Sequence, residues 1–206
     1  MTLEHWDQAR KRWVLYTGSG QQSADCAANP FESIPGRIFL DTNIINLIVK
    51  WPEEIFENVP TPTGLDERAA HDIEALMHIF YTGQRANWQL VACAKTIEEL
   101  SQTTDERIRS ALLGYALEFA DQWGEESRHG RDLGRRLYDS ALLGALPDPS
   151  DRELLGNAIG MGCDVFCTRD HKTIIRRRHL LPVLPIRILT PVEWWRSIKP
   201  WAGLWC

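Results

Sequence analysis

The sequence predicts an α/β layer fold built on a parallel sheet. Three observations predict it. Short apolar runs of strand length lie at residues 38–40, 88–94, 164–168 and 183–189. Segments with helical spacing of apolar residues separate them. Strands joined through helices need crossovers, and crossovers make neighbouring strands parallel. The third observation is the stretch Arg37-Ile38-Phe39-Leu40-Asp41-Thr42-Asn43, an apolar strand that ends on an acid and runs into the apolar helix of residues 44–49. With right-handed crossovers the carboxyl ends of all strands share one edge, where open α/β sheets bind ligands.

The elements follow in order. Residues 3–16 read as a helix with Leu3, Trp6, Trp13 and Leu15 as its apolar positions. Residues 17–35, rich in Gly, Ser, Gln, Asn and Pro, read as an irregular arm. The arm, residues 1–35, thus precedes a compact domain at 36–198. Strand one and helix one come next. Pro52, Pro60 and Pro62 mark an insertion near residues 51–65. Residues 66–81 are helical by the spacing of Ala70, Ile73, Leu76, Met77 and Phe80, and Thr82-Gly83-Gln84 ends that helix.

The run 88–94 is strand two and leads into a helix that starts at Lys95. Residues 105–123 form an amphipathic helix that Gly124 stops, and residues 133–146 continue as helix. Ser150 and Glu153 make a capping box for a helix that reaches Gly160 or Gly162. Residues 164–168 are strand three and 183–189 strand four, and Pro191 opens a last helix. The tail 199–206 is rich in Trp.

Composition narrows the function. A length of 206 residues suits one domain with an extension, and 44% hydrophobic with 25% charged residues is ordinary for a globular protein. A net charge of −5 argues against holding nucleic acid through bulk charge, while leaving room for a local basic track. The five cysteines form no Cys-x-x-Cys pair, so neither a disulfide framework nor a structural zinc site is expected. Cys93 and Cys167 read as small buried hydrophobes. No apolar run is long enough to span a bilayer, and residues 1–12 lack the apolar core of a signal peptide. The expectation is a cytoplasmic protein without a membrane partner.

Four acids have similar addresses: Asp41 and Asp170 at strand ends, Glu99 a turn into a helix, and Asp151 in the first turn of another. Crowded carboxylates raise one another's pKa, so such a cluster calls for a hard divalent cation. Oxygen ligands suit Mg²⁺ or Mn²⁺, which serve phosphodiester hydrolysis. Each acid has a plainer role as well. Asp41 splits evenly between helix cap and site, and Asp151 and Asp170 singly read as helix-end residues. Glu98 adjoins Glu99, and Asp148 lies one turn before Asp151, so each pair offers two candidates.

Residues 38–43 resemble the opening of a PIN domain, the metal-dependent nuclease family that includes bacterial toxin ribonucleases. The similarity continues through Glu99-Leu100, through Asp151 with Ala158 seven residues on, through residues 166–170, and through residues 188–194. It covers residues 38–196, with insertions. The resemblance implies a three-layer α/β/α fold with a central, mostly parallel sheet of four or five strands. It implies that Asp41, Glu99, Asp151 and Asp170 hold one or two Mg²⁺ or Mn²⁺ ions. It gives Asn43 and Thr168 supporting roles and favours Glu99 over Glu98 and Asp151 over Asp148. The implied reaction cuts RNA and leaves a 5′-phosphate and a 3′-hydroxyl. An antitoxin-like protein inhibitor and a homodimer are the protein partners this picture includes.

The basic run Lys172, Arg176, Arg177 and Arg178 divides evenly between an RNA phosphate track and a solvated helix end. The C-terminal tryptophans more often serve a core or an interface than base stacking. The rival to a nuclease is a PIN-like scaffold that binds RNA or protein without cutting.

Overall fold

The computed structural model describes residues 2–83, 86, 88–119 and 125–205. In chain order the elements are β1 (His5–Asp7), β2 (Arg12–Val14), α1 (Ser19–Ala28), β3 (Arg37–Leu40), α2 (Thr42–Lys50), α3 (Pro52–Phe56) and α4 (Glu67–Gly83). Then come β4 (Gln89–Val91), α5 (Ala94–Ser101), α6 (Glu106–Phe119), α7 (Glu125–Tyr138), α8 (Pro149–Gly160), β5 (Val165–Cys167), β6 (Arg187–Leu189) and α9 (Pro191–Ile198). Among the described residues no helix is long and apolar enough to cross a membrane. The chain divides into two compact units. One joins Met1–Ile34, Trp51–Asn87 and Pro191–Cys206; the other joins Pro35–Lys50 and Trp88–Thr190.

The second unit holds the sheet. Its four strands run in the order β4-β3-β5-β6, and every neighbouring pair is parallel. The fold is therefore α/β, as the strand–helix alternation predicts. Ile38, Phe39 and Leu40 are buried, and so is all of β5. Strands covered on both faces read as continuous apolar runs, which is why they stand out in the sequence. At the amino ends, Asp164 Oδ2 accepts from the N–H groups of Gly36 and Arg37, each at 2.8 Å. Phe39 and Phe166 stack at 5.5 Å within a core that includes Leu143, Leu154, Leu155 and Ile174.

Helices α7 and α8 pack backbone to backbone through Gly130, Gly134, Gly156 and Gly160. A methyl group on Gly160 would lie 2.6 Å from Gly130 Cα, and one on Gly156 would lie 2.8 Å from Gly134 Cα. No side chain fits there. Gly162, with φ of +68°, ends α8. Its N–H donates to Ile159 O and the Cys163 N–H donates to Ala158 O, which closes the helix in a Schellman motif.

Three local expectations are corrected in the first unit. Residues 3–16 form the antiparallel β1–β2 hairpin, not a helix. The reason lies in the rings: Trp6 stands opposite Trp13, with centroids 5.3 Å apart, and cross-strand aromatic pairs favour the extended form. Asp7 Oδ1 caps the turn by accepting from Ala9 and Arg10 N–H. The arm at 17–35 is not irregular throughout, because it contains α1, whose residues are all at least partly exposed. A helix without a buried face leaves no apolar period to detect. Pro52 opens the short helix α3 at its first position, where a missing N–H costs nothing.

In the second unit, α8 is capped by Asp148, not by Ser150; Asp148 Oδ1 accepts from Ser150 N–H at 2.9 Å, and Pro149 follows the cap. Strand four is confined to residues 187–189, short of the expected 183–189. The expected helix of 133–146 instead spans 125–138, followed by a 3₁₀ turn at Ala141–Leu143. The expected helix ends at Gln84 and at residues 120–124 lie outside the described residues, as does Cys206. Cys93 and Cys167 are buried, as expected of small hydrophobes.

Candidate functional site

The strand order reverses between β3 and β5, because β4 lies outside one and β6 outside the other. Such a switch point opens a crevice beyond the carboxyl ends of the strands. Asp41 leaves β3 at this point, and its N–H donates to Cys167 O at 3.0 Å. Thr168 leaves β5 beside it and donates from its N–H to Leu189 O at 2.9 Å. The two side chains meet across the switch point: the Thr168 hydroxyl and the Asn43 amide both donate to Asp41 Oδ2 at 2.5 Å. Asn43 Nδ2 also reaches Thr168 Oγ1 at 3.1 Å, and Asn43 Oδ1 accepts from Arg169 N–H. Asp41, 4% exposed, is therefore held in one orientation.

Glu99 enters from α5. Its Oε2 accepts from the Thr42 hydroxyl and its Oε1 from the Ser150 hydroxyl, both at 2.6 Å. Glu98 lies apart from this network, with its side chain 62% exposed and 3.5 Å from Lys95. Of the two adjacent glutamates, only Glu99 is tied to the segments that carry Asp41 and Asp151.

Asp151 and Asp170 share a donor. The Thr173 hydroxyl lies 2.9 Å from Asp151 Oδ2 and 2.6 Å from Asp170 Oδ2. Asp170 Oδ1 also accepts from the N–H groups of Lys172 and Thr173, capping a single turn of π-helix at His171–Ile175. The cap role expected for Asp170 is thus real, and it coexists with the link to Asp151. Asp148 stays on the exposed cap of α8.

The electrostatics join these pairs into one cluster. Burial pushes the Asp41 carboxyl up to about 7; the Thr168 hydrogen bond opposes that shift, and the charges of Asp151 and Glu99 add to it. Burial likewise lifts Asp151 to about 6, opposed by Thr173 and reinforced by Asp148, Asp170 and Glu99. Asp170 moves the other way. Its partial burial is outweighed by the Thr173 hydroxyl and the two N–H donors, which hold it below the usual carboxylate range.

The donor set is all oxygen and mutually repelling, which is the chemistry Mg²⁺ or Mn²⁺ relieves. Among the described residues, however, no three His, Cys, Asp or Glu side chains are already gathered around one point. Asp151 and Asp170 are linked through the Thr173 hydroxyl, while Asp41 and Glu99 are held by separate donors, so sharing one ion would require side-chain movement.

The basic run is divided. Lys172 and Arg176 are exposed. Arg177 Nη1 donates to Ala145 O at 3.3 Å, and Arg178 Nη1 to Ile188 O at 2.7 Å, so these two guanidinium groups brace the backbone. Sequence reasoning assigned no site role to Thr42, Ser150 or Thr173. Thr173 stands three residues after Asp170, a spacing that signals a local cap. Nothing local signals its bond to Asp151, 22 residues away.

Comparison of the chain with protein-family models, with curated proteins and with solved structures finds no match.

Proposed function

We propose that this chain is a Mg²⁺- or Mn²⁺-dependent endoribonuclease with a PIN-like, three-layer α/β/α fold. The observation that carries the reading is the joint placement of Asp41, Glu99, Asp151 and Asp170 at the carboxyl edge of a parallel sheet, with Asp151 and Asp170 sharing the Thr173 hydroxyl and Glu99 bonded to Thr42 beside Asp41 and to Ser150 beside Asp151. Independent helix caps have no reason to share hydroxyl partners across 22 and 51 residues of chain, and a resident acidic cluster without a cation is costly. A divalent ion held by these four carboxylates would supply positive charge to a phosphodiester and acidify a water.

The chain's own residues prepare that site. Asn43 and Thr168 fix Asp41 by bonding a single oxygen of its carboxylate. Thr42 and Ser150 fix Glu99 by bonding both oxygens, each of which keeps a further lone pair. Thr173 keeps Asp151 and Asp170 facing each other. Lys172 and Arg176 offer exposed charge to an RNA backbone. The products are a 5′-phosphate and a 3′-hydroxyl, an antitoxin-like protein is the expected inhibitor, and the proposed location is the cytoplasm.

The test is cleavage of end-labelled RNA with Mn²⁺ or Mg²⁺, with EDTA, and with Asp41→Asn. Cleavage that needs the ion and disappears in the variant supports the reading; cleavage retained by a folded Asp41→Asn protein overturns it. A second reading has its own observation. Because no three acids are already gathered, a PIN-like scaffold that binds RNA or a protein partner without cutting is the alternative. RNA binding that EDTA leaves unchanged, with no cleavage, selects it.

A further inference from the structure

The first unit contains a cavity of about 530 Å³ that the acidic edge does not use. That size lies within the range of about 300–1,000 Å³ typical of small-molecule sites. Its lining is aromatic. Trp6 meets Trp13 edge-on at 5.3 Å, Trp13 meets His78 edge-on at 4.7 Å, and His78 stacks on Trp195 at 4.8 Å. Phe56 and Phe80 add a second pair at 5.1 Å, and Tyr81, 59% exposed, stands beside them. Phe56 is 43% exposed, so this wall presents ring surface to solvent.

Two cations, Lys11 and Arg12, stand next to each other in the lining, and both are exposed. No carboxylate occurs among the described lining residues; outside them, Asp7 stands opposite Arg12 across the hairpin and lies 3.6 Å from Arg10, so Arg10, Lys11 and Arg12 leave the turn with an excess of positive charge. Glu74, 3.7 Å from His78 Nε2, is occupied by the N–H groups of Leu3 and Glu4. Lys11 has φ of +51° and Asn58 has φ of +55°; among the described residues these are the only non-glycine positions with positive φ, and both line this cavity. Asparagine adopts that conformation readily, whereas at Lys11 glycine would take it at lower cost. At Lys11 the turn gives up the easier residue and keeps an exposed cation in the lining.

Stacking surface beside an excess of positive charge suits a planar aromatic ring that carries an anion. We propose that this cavity binds a nucleotide unit, with its base against the Tyr81 and Phe56 wall and its phosphate at Lys11 and Arg12. Aromatic rings accept any base through its π face, and the paired cations add the preference for phosphate. The unit comes either from a free nucleotide or from an unpaired position of an RNA chain. The proposal does not rest on the acidic edge being a nuclease site.

Calorimetry on the full chain tests it, with AMP, adenosine, inorganic phosphate and an adenine tetranucleotide lacking a terminal phosphate as probes. AMP is expected to bind, adenosine to bind about tenfold more weakly, and phosphate alone to show no heat. Lys11→Glu/Arg12→Glu is expected to weaken AMP by about tenfold or more and to leave adenosine unchanged. Tyr81→Ala is expected to weaken both by about fivefold or more. All three positions are exposed, so unchanged thermal melting accompanies these losses. Asp41→Asn should bind AMP as the parent does, which separates this site from the acidic one. A tetranucleotide tighter than AMP identifies RNA as the source, and the reverse order identifies a free nucleotide. No AMP heat at about 5 mM, well above the millimolar limit of weak specific binding, overturns the proposal. So does AMP binding undiminished in the double variant, or binding of an apolar dye alone.

Discussion

The acidic edge and the aromatic cavity are built by opposite means. At the edge, like charges stand close together, Asp41 buried and the other three acids partly so, and hydroxyl groups of Thr42, Ser150, Thr168 and Thr173 set their orientation. In the cavity, neutral rings make the walls and opposite-sign partners for the cations are missing from the described lining. On the two proposals, a cation would relieve the repulsion at the edge, whereas a planar ligand would cover the exposed ring area of the cavity. Each region is unfavourable alone, in a different currency of interaction, and each points to the ligand that would satisfy it.

The largest effect expected is on the edge. Asp41→Asn should lower Mn²⁺-dependent RNA cleavage by about 100-fold or more, as loss of one centrally placed charge does in comparable sites. Calorimetry should show weakened Mn²⁺ binding by the same variant, with AMP binding at the cavity intact. Loss of both binding activities together would break the distinction between the regions.

Gly134→Ala comes next. Its methyl group would lie 2.8 Å from Glu153 O and meet the Asn157 side chain, so α7 and α8 must move apart. A loss of about 3 kcal/mol is expected in urea unfolding followed by circular dichroism. Because α8 carries Asp151, Mn²⁺ binding should weaken in the protein that remains folded. Unchanged stability would mean that the close helix contact is not required.

Thr173→Val keeps the shape and removes the hydroxyl shared by Asp151 and Asp170. Mn²⁺ affinity should fall by about tenfold, the lower end for loss of an orienting partner. Glu98→Gln, made at the exposed neighbour of Glu99, should leave affinity unchanged and serves as its control.

The smallest effect expected is in the pH dependence of stability. Asp41 and Asp151 keep their protons in the folded state up to about pH 7 and about pH 6. The unfolded chain loses them near the ordinary carboxylate value of about 4. Stability from these groups is complete below about pH 4 and is lost as pH rises toward 7. Thermal melting should therefore decline across that window, less so with saturating Mn²⁺ and less so in Asp41→Asn. That variant should melt at a slightly higher temperature than the parent at pH 8. A parent protein whose melting temperature rises steadily from pH 4 to pH 7 in EDTA would contradict the buried, coupled state of these acids.

Much of the sheet unit was legible in the residues. The runs at 38–40 and 165–167 are buried on both faces, and burial forces an unbroken apolar composition that any reader of the sequence meets. Asp41, Glu99, Asp151 and Asp170 were legible because a carboxylate next to an apolar run is conspicuous. The hairpin at 5–14 was not, because three-residue strands carry too little alternation to be told from a helix, and the Trp6–Trp13 contact that decides it is cross-strand. Helix α1 was hidden by its polar composition. The packing of α7 on α8 had a signal in Gly130-x-x-x-Gly134 and Gly156-x-x-x-Gly160, but only the fold shows that the two pairs face each other.

The sequence by itself determined the α/β class, the parallel sheet and the four acidic positions, because each follows from local composition and from the geometry of strand–helix–strand connections. The tertiary structure decided the rest. It brought Thr42 and Ser150 to Glu99 while leaving Glu98 exposed, and it joined Asp151 to Asp170 through Thr173. It also assembled the cavity from β1, β2, α3, α4 and α9, segments separated by most of the chain. Hydrogen bonds and ring contacts act over a few ångströms in space, and separation along the chain says nothing of which distant groups will come that close.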